Sequence, residues 1–217
     1  KGLTLTALGS FWWGVIGVIY FKYISFAGPI EVVIHRCVWT SVVLIISTFF
    51  FSKWNIFFEI IVNKKKLFLL FISGLLIFIN WATWIYAVST EKIIDASFGY
   101  FIMPILSVFL GYIFYKEKIN KKRALSIILV LISILFLLIV NLNSIPWMGI
   151  IVALSWGFYN LLRKKINVDT DIGLLIESLF ILPFALFSFF LIFQNNLNDF
   201  SLSNPSLMLI LMLAGPM

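Results

Sequence analysis

An arginine and a glutamate stand inside long apolar stretches of this sequence. Arg36 lies about seven residues into the apolar run 29–51, and Glu177 lies near the start of the run 172–193. Charged side chains in a membrane-spanning segment are costly and tend to mark substrate, ion or proton pathways. A guanidinium in such a place can anchor a carboxylate of a small solute, and a buried carboxylate can carry a proton or close a gate.

Other polar and aromatic residues recur at helical spacing in the neighbouring runs. Asn80 and Trp84 share a face of the run 67–89 by their spacing of four residues. Counting from the ends of the runs puts Arg36, Tyr100 and Asp95 in the same half of the membrane. The residues predicted to bind substrate are Arg36, Trp39, Asn80, Trp84 and Tyr100. Close helix packing is the alternative explanation for the small residues beside Tyr100, which are Ser97, Ser107 and Gly111.

A second group of titratable residues is predicted to act in coupling or gating. Asp95 is the predicted partner of Arg36, because Glu177 should lie roughly 15 Å away from Arg36 in depth at helical rise. Glu177 would instead form a proton site or an inner gate with Tyr159, or extend toward Lys164 or Lys165 at the interface. The single histidine makes either a helix–helix hydrogen bond or a proton relay. The coupling or gating residues are Asp95, Glu177, His35 and Tyr159.

The composition defines the class of protein that positions these residues. Of 217 residues, 62% are hydrophobic and 12% charged, and the mean hydropathy is +1.10. Ordinary soluble domains have about 25% charged residues, so the sequence predicts a polytopic membrane protein and disfavours soluble enzymes. We find no phosphate loop, nucleophile elbow or metalloprotease signature, and one cysteine with one histidine cannot form a zinc site. No enzyme activity, metal or cofactor is therefore predicted.

Seven apolar runs are long enough to cross about 30 Å of hydrocarbon as helices. An eighth run begins at Pro205 and stops at Met217, too short to span, and the chain does not begin with methionine. We therefore expect a fragment of a longer protein; an interfacial tail is the alternative. The seven runs are 3–21, 29–51, 67–89, 93–115, 124–142, 145–162 and 172–193.

Basic residues predict the orientation of the chain. Thirteen lysines and arginines fall at the N-terminus or in every second connection, whereas only Lys22 and Lys92 fall on the other side. Cytoplasmic loops carry such an excess. The N-terminus is therefore predicted to be cytoplasmic, and the net charge of +7 needs no nucleic-acid partner.

A short motif occurs twice. Ser10-Phe11-Trp12-Trp13-Gly14 begins within the first run, and Ser155-Trp156-Gly157 lies in the sixth. Five spans separate the copies, so the second copy crosses in the opposite direction. Inverted repeats of this kind are typical of secondary transporters, and chance similarity is the alternative.

Six short motifs lie in order along nearly the whole chain. They are His35-Arg36 with Trp39, Asn80-Trp81, Ala96-Ser97-Phe98-Gly99-Tyr100-Phe101-Ile102 with Pro104, Phe158-Tyr159, Arg163-Lys164-Lys165, and Gly173-Leu174-Leu175-Ile176-Glu177-Ser178 before Pro183. Together they resemble the drug/metabolite transporter superfamily, in particular the EamA-type permeases of the RarD group. The resemblance implies an all-α fold of ten helices in two inverted five-helix repeats. Residues 1–142 would form the first repeat, and residues 143–217 an incomplete second one.

The function predicted from these features is secondary transport. The protein would move a small polar metabolite, amino acid or drug across the bacterial inner membrane by alternating access. A passive channel or a membrane sensor module is the alternative. The predicted partners are a small-molecule substrate and the lipid bilayer, and a homodimer is left open.

Overall fold

The computed structural model describes residues 2–141, 145–195, 197–200 and 204–217, and these residues form helices with no strand among them. The predicted repeat boundary between residues 142 and 143 lies outside the described residues. A π-helical stretch, Trp12–Gly17, joins α1 to α2, and a 3-10 turn, Ile24–Ala27, joins α2 to α3. The helices are α1 Gly2–Phe11, α2 Val18–Tyr23, α3 Gly28–Phe50, α4 Trp54–Val62, α5 Lys64–Ser89, α6 Ile93–Tyr115, α7 Lys121–Asn141, α8 Trp147–Ile166, α9 Thr170–Gln194 and α10 Pro205–Met212.

All seven predicted runs coincide with helical stretches to within four residues at either end. In the part of the chain that the structure describes, four stretches are long and apolar enough to cross a membrane: Thr4–Phe50, Lys64–Ser89, Ile93–Tyr115 and Thr170–Gln194. Because Thr4–Phe50 covers the first two runs except for residues 3 and 51, these stretches account for five of the seven predicted spans. The runs 124–142 and 145–162 form α7 and α8, which are not among the four.

The connection between the second and third runs contains a helix that was not predicted. Helix α4 buries Phe57 and Ile60 in a small core with residues of α5 and α9. The side chain of Asn63, which follows α4, accepts a hydrogen bond from the backbone N–H of Lys66 and so caps α5. The connection therefore packs against the helix bundle.

Helices α8 and α9 pack among the earlier helices. Helix α6 contacts α8, α3 contacts α9, and α5 contacts both. Two glycines bring α6 and α8 together: a Cβ atom added at Gly99 would lie 2.6 Å from the carbonyl oxygen of Gly149. Small residues allow helix backbones to approach closely in membranes, where lipid gives no hydrophobic drive for association.

Ion pairs join connections at the same end of the bundle. They link the connection after α3 to the connection before α9, and the connection after α6 to the end of α8, all of which are basic-side segments in the sequence analysis. The end of α2 is linked to the connection after α5 at the opposite end. Connections that the sequence analysis assigns to one side of the membrane therefore lie at one end of the bundle. Which end faces the cytoplasm stays a prediction. The pairs are Lys53 with Asp169 and Asp171, Lys164 with Glu117, and Lys22 with Glu91.

Candidate functional site

Arg36 of α3 is enclosed by aromatic rings from two other parts of the bundle. Its guanidinium carbon lies 4.6 Å from the ring centroid of Trp81 on α5, 5.6 Å from that of Trp13 and 5.7 Å from that of Phe21. The residue is 8% exposed. A desolvated cation–π contact is worth about 2 kcal/mol, so these rings offset part of the cost of burying the charge.

The segment that follows α10 provides the hydrogen bonds at this position. Arg36 donates to the carbonyl oxygen of Ala214 at 2.8 Å, and Thr40 donates to that of Gly215 at 3.2 Å. The C-terminal end of a helix carries partial negative charge, which favours a cation. The segment that follows α10 therefore holds the charged end of Arg36 in place.

The predicted ion pair between Arg36 and Asp95 is wrong. No carboxylate of the described residues lies within 4.0 Å of the Arg36 guanidinium. Asp95 instead lies against the start of α8, where a Cβ atom added at Gly149 would lie 2.5 Å from its carbonyl oxygen, and its Oδ1 atom is buried with no hydrogen-bond partner among the described residues. Unpaired N–H groups at a helix start attract an anion, which favours the position of the Asp95 carboxylate near the start of α8.

Trp13 connects Arg36 to two other predicted site residues. Its indole Nε1 donates to the hydroxyl of Tyr100 at 3.0 Å, and its ring lies 5.1 Å from that of Trp84. We call Arg36 with Trp13, Phe21, Trp81 and Trp84 the aromatic box. The structure thus brings Arg36, Trp84 and Tyr100 into one cluster.

The other two predicted binding residues make different contacts. Both N–H bonds of the Asn80 amide are used, because it donates to the carbonyl oxygen of Val152 and to the hydroxyl of Ser155 at 3.1 Å each. Asn80 therefore joins α5 to α8. Trp39 donates to Nδ1 of His35 on its own helix at 3.1 Å.

A buried carboxylate that was not predicted as a site residue lies one turn from His35. Glu31 is 2% exposed and accepts hydrogen bonds from the backbone N–H groups of Asp199 and Phe200, both at 2.9 Å. Its Oε1 lies 3.6 Å from Nε2 of His35, whose ring packs on Phe200 at 4.8 Å. Burial and the nearby Glu31 raise the pKa of the Asp199 carboxyl. The spacing of four residues from His35 was the available sequence signal.

Glu177 lies in a polar cluster separate from the aromatic box. It is fully buried and accepts hydrogen bonds from Ser73 at 2.5 Å and from Tyr159 at 3.2 Å. Its carboxylate lies 3.5 Å from the guanidinium of Arg163. The structure thus places Tyr159 beside Glu177, whereas the alternative orientation toward Lys164 or Lys165 is not observed.

Two cavities of the described residues lie away from these residues. One, of about 870 Å³, is lined by apolar side chains of α3, α5, α8 and α9. The other, of about 600 Å³, lies among α6, α7 and α8 at the basic end. Neither of these two cavities is lined by a predicted site residue. No group of three or more metal-ligating side chains comes together in the described residues.

Three ring residues of the box were missed by sequence reasoning. Trp13 and Trp81 were named in the sequence analysis only as parts of motifs, and Phe21 was not singled out. Their common feature is contact with one guanidinium, and a helix pattern gives no sign of a contact between distant segments. The repeated tryptophan motif that contains Trp13 was the available signal.

Comparison with known proteins gives consistent matches. The sequence pattern of the EamA-like transporter family matches residues 1–139. An uncharacterized transporter of Vibrio cholerae is 35% identical over 99% of this chain and 70% of its own length. Protein RarD of Escherichia coli is 33% identical, and the uncharacterized transporter YojE of Bacillus subtilis 31%, each over 99% of this chain and 72% of its own length. No solved structure matches.

Proposed function

The chain belongs to the EamA-like transporter family, and on that premise we propose that this multi-pass membrane protein is a secondary permease. It moves a small polar metabolite, amino acid or drug across the bacterial inner membrane by alternating access, and Arg36 binds the anionic group of that solute.

One observation carries this proposal: a buried guanidinium enclosed by rings, with no carboxylate partner among the described residues. The Nε atom of Arg36 is buried and has no hydrogen-bond partner. A buried ion is stabilised by an opposite charge with good geometry. A solute carboxylate would provide that charge, and the flat rings of Trp81 and Trp84 would contact its apolar part.

Two polar clusters at opposite ends of the bundle support alternating access. The Glu31 cluster lies at the end where α3 begins, and the Glu177 cluster lies at the end where α9 begins. Each joins different segments through a buried carboxylate, and Arg36 lies between them along α3. In the proposed cycle the contacts within each cluster break in turn. Asp95 and His35 move with the helices that carry them.

The test is a ligand screen followed by flux in liposomes. Thermal unfolding of the purified chain is measured with single amino acids, nucleosides and chloramphenicol, because a ligand that binds the folded state raises apparent stability. The compound with the largest shift is then used as a radiolabelled probe in proteoliposomes.

Saturable uptake by the wild type, lost at least tenfold in Arg36→Gln and partly kept in Arg36→Lys, is the expected result. Lys65→Gln, an equal charge change at an exposed position, serves as the matched control. Unsaturable flux would identify a channel, and binding without flux would identify a sensor.

A further inference from the structure

The cavity of about 600 Å³ at the basic end has a charged rim and apolar walls. The rim combines side chains from three segments: the connection after α6, the first turn of α7 and the last turn of α8. The walls run along the facing sides of these helices. The rim is formed by Glu117, Asn120, Lys122, Arg123, Asn160 and Lys164, and the walls include Pro104, Val108, Ile127, Val130 and Leu161.

Positive charge predominates at the rim, where three cations face one carboxylate. Glu117 contacts both Lys164 and, at 3.9 Å, Arg123. The hydrogen bond from Lys164 lowers the pKa of the Glu117 carboxyl. Lys164 also lies 4.6 Å from the ring centroid of Tyr115. Glu117 therefore holds two of the cations together at the mouth of the cavity, and the third, Lys122, adds to the excess of positive charge there.

The depth of the cavity exceeds what a small anion needs. Its lining extends from Glu117, beyond the end of α6, to Pro104, which is about 16 Å from Tyr115 along the helix at 1.5 Å per residue. That direction leads away from the charged rim into the apolar part of the bundle. An acyl chain fits along such walls, whereas free phosphate would contact only the rim.

We propose that this cavity binds an anionic phospholipid, with the phosphate at Arg123, Lys164 and Lys122 and one acyl chain along α7. Basic pockets between membrane helices are suited to anionic headgroups. Helix α7 packs along α6, and the cavity separates it from α8. The lipid would thus join α7 to α8. This inference does not depend on the transport proposal.

The test uses the purified full chain in a neutral detergent. Binding of phosphatidylglycerol is measured by native mass spectrometry and by the thermal unfolding midpoint, with phosphatidylcholine and inorganic phosphate as separate probes. We expect phosphatidylglycerol to raise the midpoint by several degrees with saturation, and the other two probes to leave it unchanged. The shift should decrease with salt, since exposed charges are screened.

Three variants and a control locate the site. Arg123→Gln with Lys164→Gln should weaken phosphatidylglycerol binding at least tenfold. Val130→Trp should fill the cavity and weaken binding while the rim charges remain. Glu117→Gln should strengthen binding, because it frees two cations. Lys64→Gln with Lys65→Gln, an equal loss of charge at exposed positions outside the cavity, should bind as the wild type.

Several outcomes would overturn the proposal. Unchanged phosphatidylglycerol binding in the double rim variant would place the lipid elsewhere. Equal binding of phosphatidylcholine would remove the role of the headgroup charge. A shift with inorganic phosphate alone would indicate a simple anion site, and a dimer whose α7 face excludes lipid would indicate a second copy as occupant.

Discussion

Two buried charges of this chain have opposite kinds of surroundings. Glu177 is hydrogen-bonded by two hydroxyl groups and faces a guanidinium, whereas Arg36 faces rings and a backbone carbonyl. The first arrangement satisfies the charge within the protein. The second leaves a cation that an entering anion would stabilise.

Arg36 and Asp95 should be energetically independent. Arg36→Leu and Asp95→Leu should each change the free energy of unfolding, and the double variant should equal their sum within about 0.5 kcal/mol, as for residues that share no contact. Unfolding in mixed detergent micelles measures all three. A coupling above about 1 kcal/mol would show that the side chains interact after all.

Glu177 and Arg163 should be coupled in the same assay. Removing one partner of a buried ion pair leaves an uncompensated charge, so Glu177→Gln should cost on the order of 3 kcal/mol. Arg163→Gln should cost less, because Ser73 and Tyr159 still donate to the carboxylate. The double variant should lose less unfolding free energy than the two single variants lose together. Strict additivity would contradict the ion pair.

The sequence separated Glu177 from Arg36 and offered Tyr159 as a neighbour of Glu177, but it gave the wrong partner for Arg36. Counting from the ends of a run locates a side chain along the membrane normal, which correctly separated Glu177 from Arg36. Which way the side chain points depends on how the helices are rotated against one another. That rotation depends on packing between distant segments, and for this reason Asp95 was paired with Arg36 although it faces α8.

At the scale of elements, the contact between α6 and α8 depends on Gly99 and Gly149, which have no side chains to hold the helices apart. Cβ atoms at either glycine of this contact would meet backbone: one at Gly149 would lie 2.5 Å from the carbonyl oxygen of Asp95. The same contact holds the start of α8 against Asp95, and α8 in turn accepts the amide of Asn80. Displacement of α8 would therefore disturb both predicted site residues.

Gly99→Ala should separate α6 from α8. The added methyl group would lie 2.6 Å from a carbonyl oxygen and 2.9 Å from Val152, and such overpacking typically costs about 1–3 kcal/mol. Gly9→Ala is the matched control, because nothing lies within 4 Å of its Cβ position on helix α1. The control should be neutral or stabilising, and equal unfolding free energies for the two variants would refute the close contact.

Helix α4 shows why one element escaped prediction. Its nine residues lie between Lys53 and the lysines that begin α5, and the search for runs long enough to span passed over them. Phe57 and Ile60 are buried by α5 and α9, which are neighbours in space and not in sequence. Short elements of this kind owe their stability to tertiary packing.

At the scale of the whole molecule, successive connections lie at alternate ends of the bundle. The helix lengths and the ion pairs between connections both indicate this arrangement. The apolar runs and the charge pattern made most helices predictable, because both are local properties of the sequence. The inverted repeat stays a prediction, since only the short motif and the family resemblance support it and the boundary lies outside the described residues.

Cysteine labelling should establish the orientation. In a Cys37→Ser background, single cysteines at Lys65 and Asn167 should react from the cytoplasm, and those at Phe26, which is exposed, and Thr90 from outside, because the basic connections stay inside. A membrane-impermeant maleimide applied to intact cells and to inverted vesicles measures this. Reaction of Lys65→Cys in intact cells would reverse the assignment.

The π-helical stretch Trp12–Gly17 determines the directions in which the rings of Trp13 and Phe21 point relative to Arg36. In a regular α-helix, eight residues advance by about 800°, so Trp13 and Phe21 would point roughly 80° apart. Both face the same guanidinium, because each residue of a π-helical turn advances by a smaller angle. Deleting Val15 should let this stretch return to α-helix, and the seven remaining steps would then advance by about 700°, which leaves Trp13 and Phe21 only about 20° apart. Trp13 would then stay beside Arg36 and the tryptophan fluorescence should not shift, whereas a red-shifted spectrum would mean that the π-helical turn itself is needed to keep Trp13 buried.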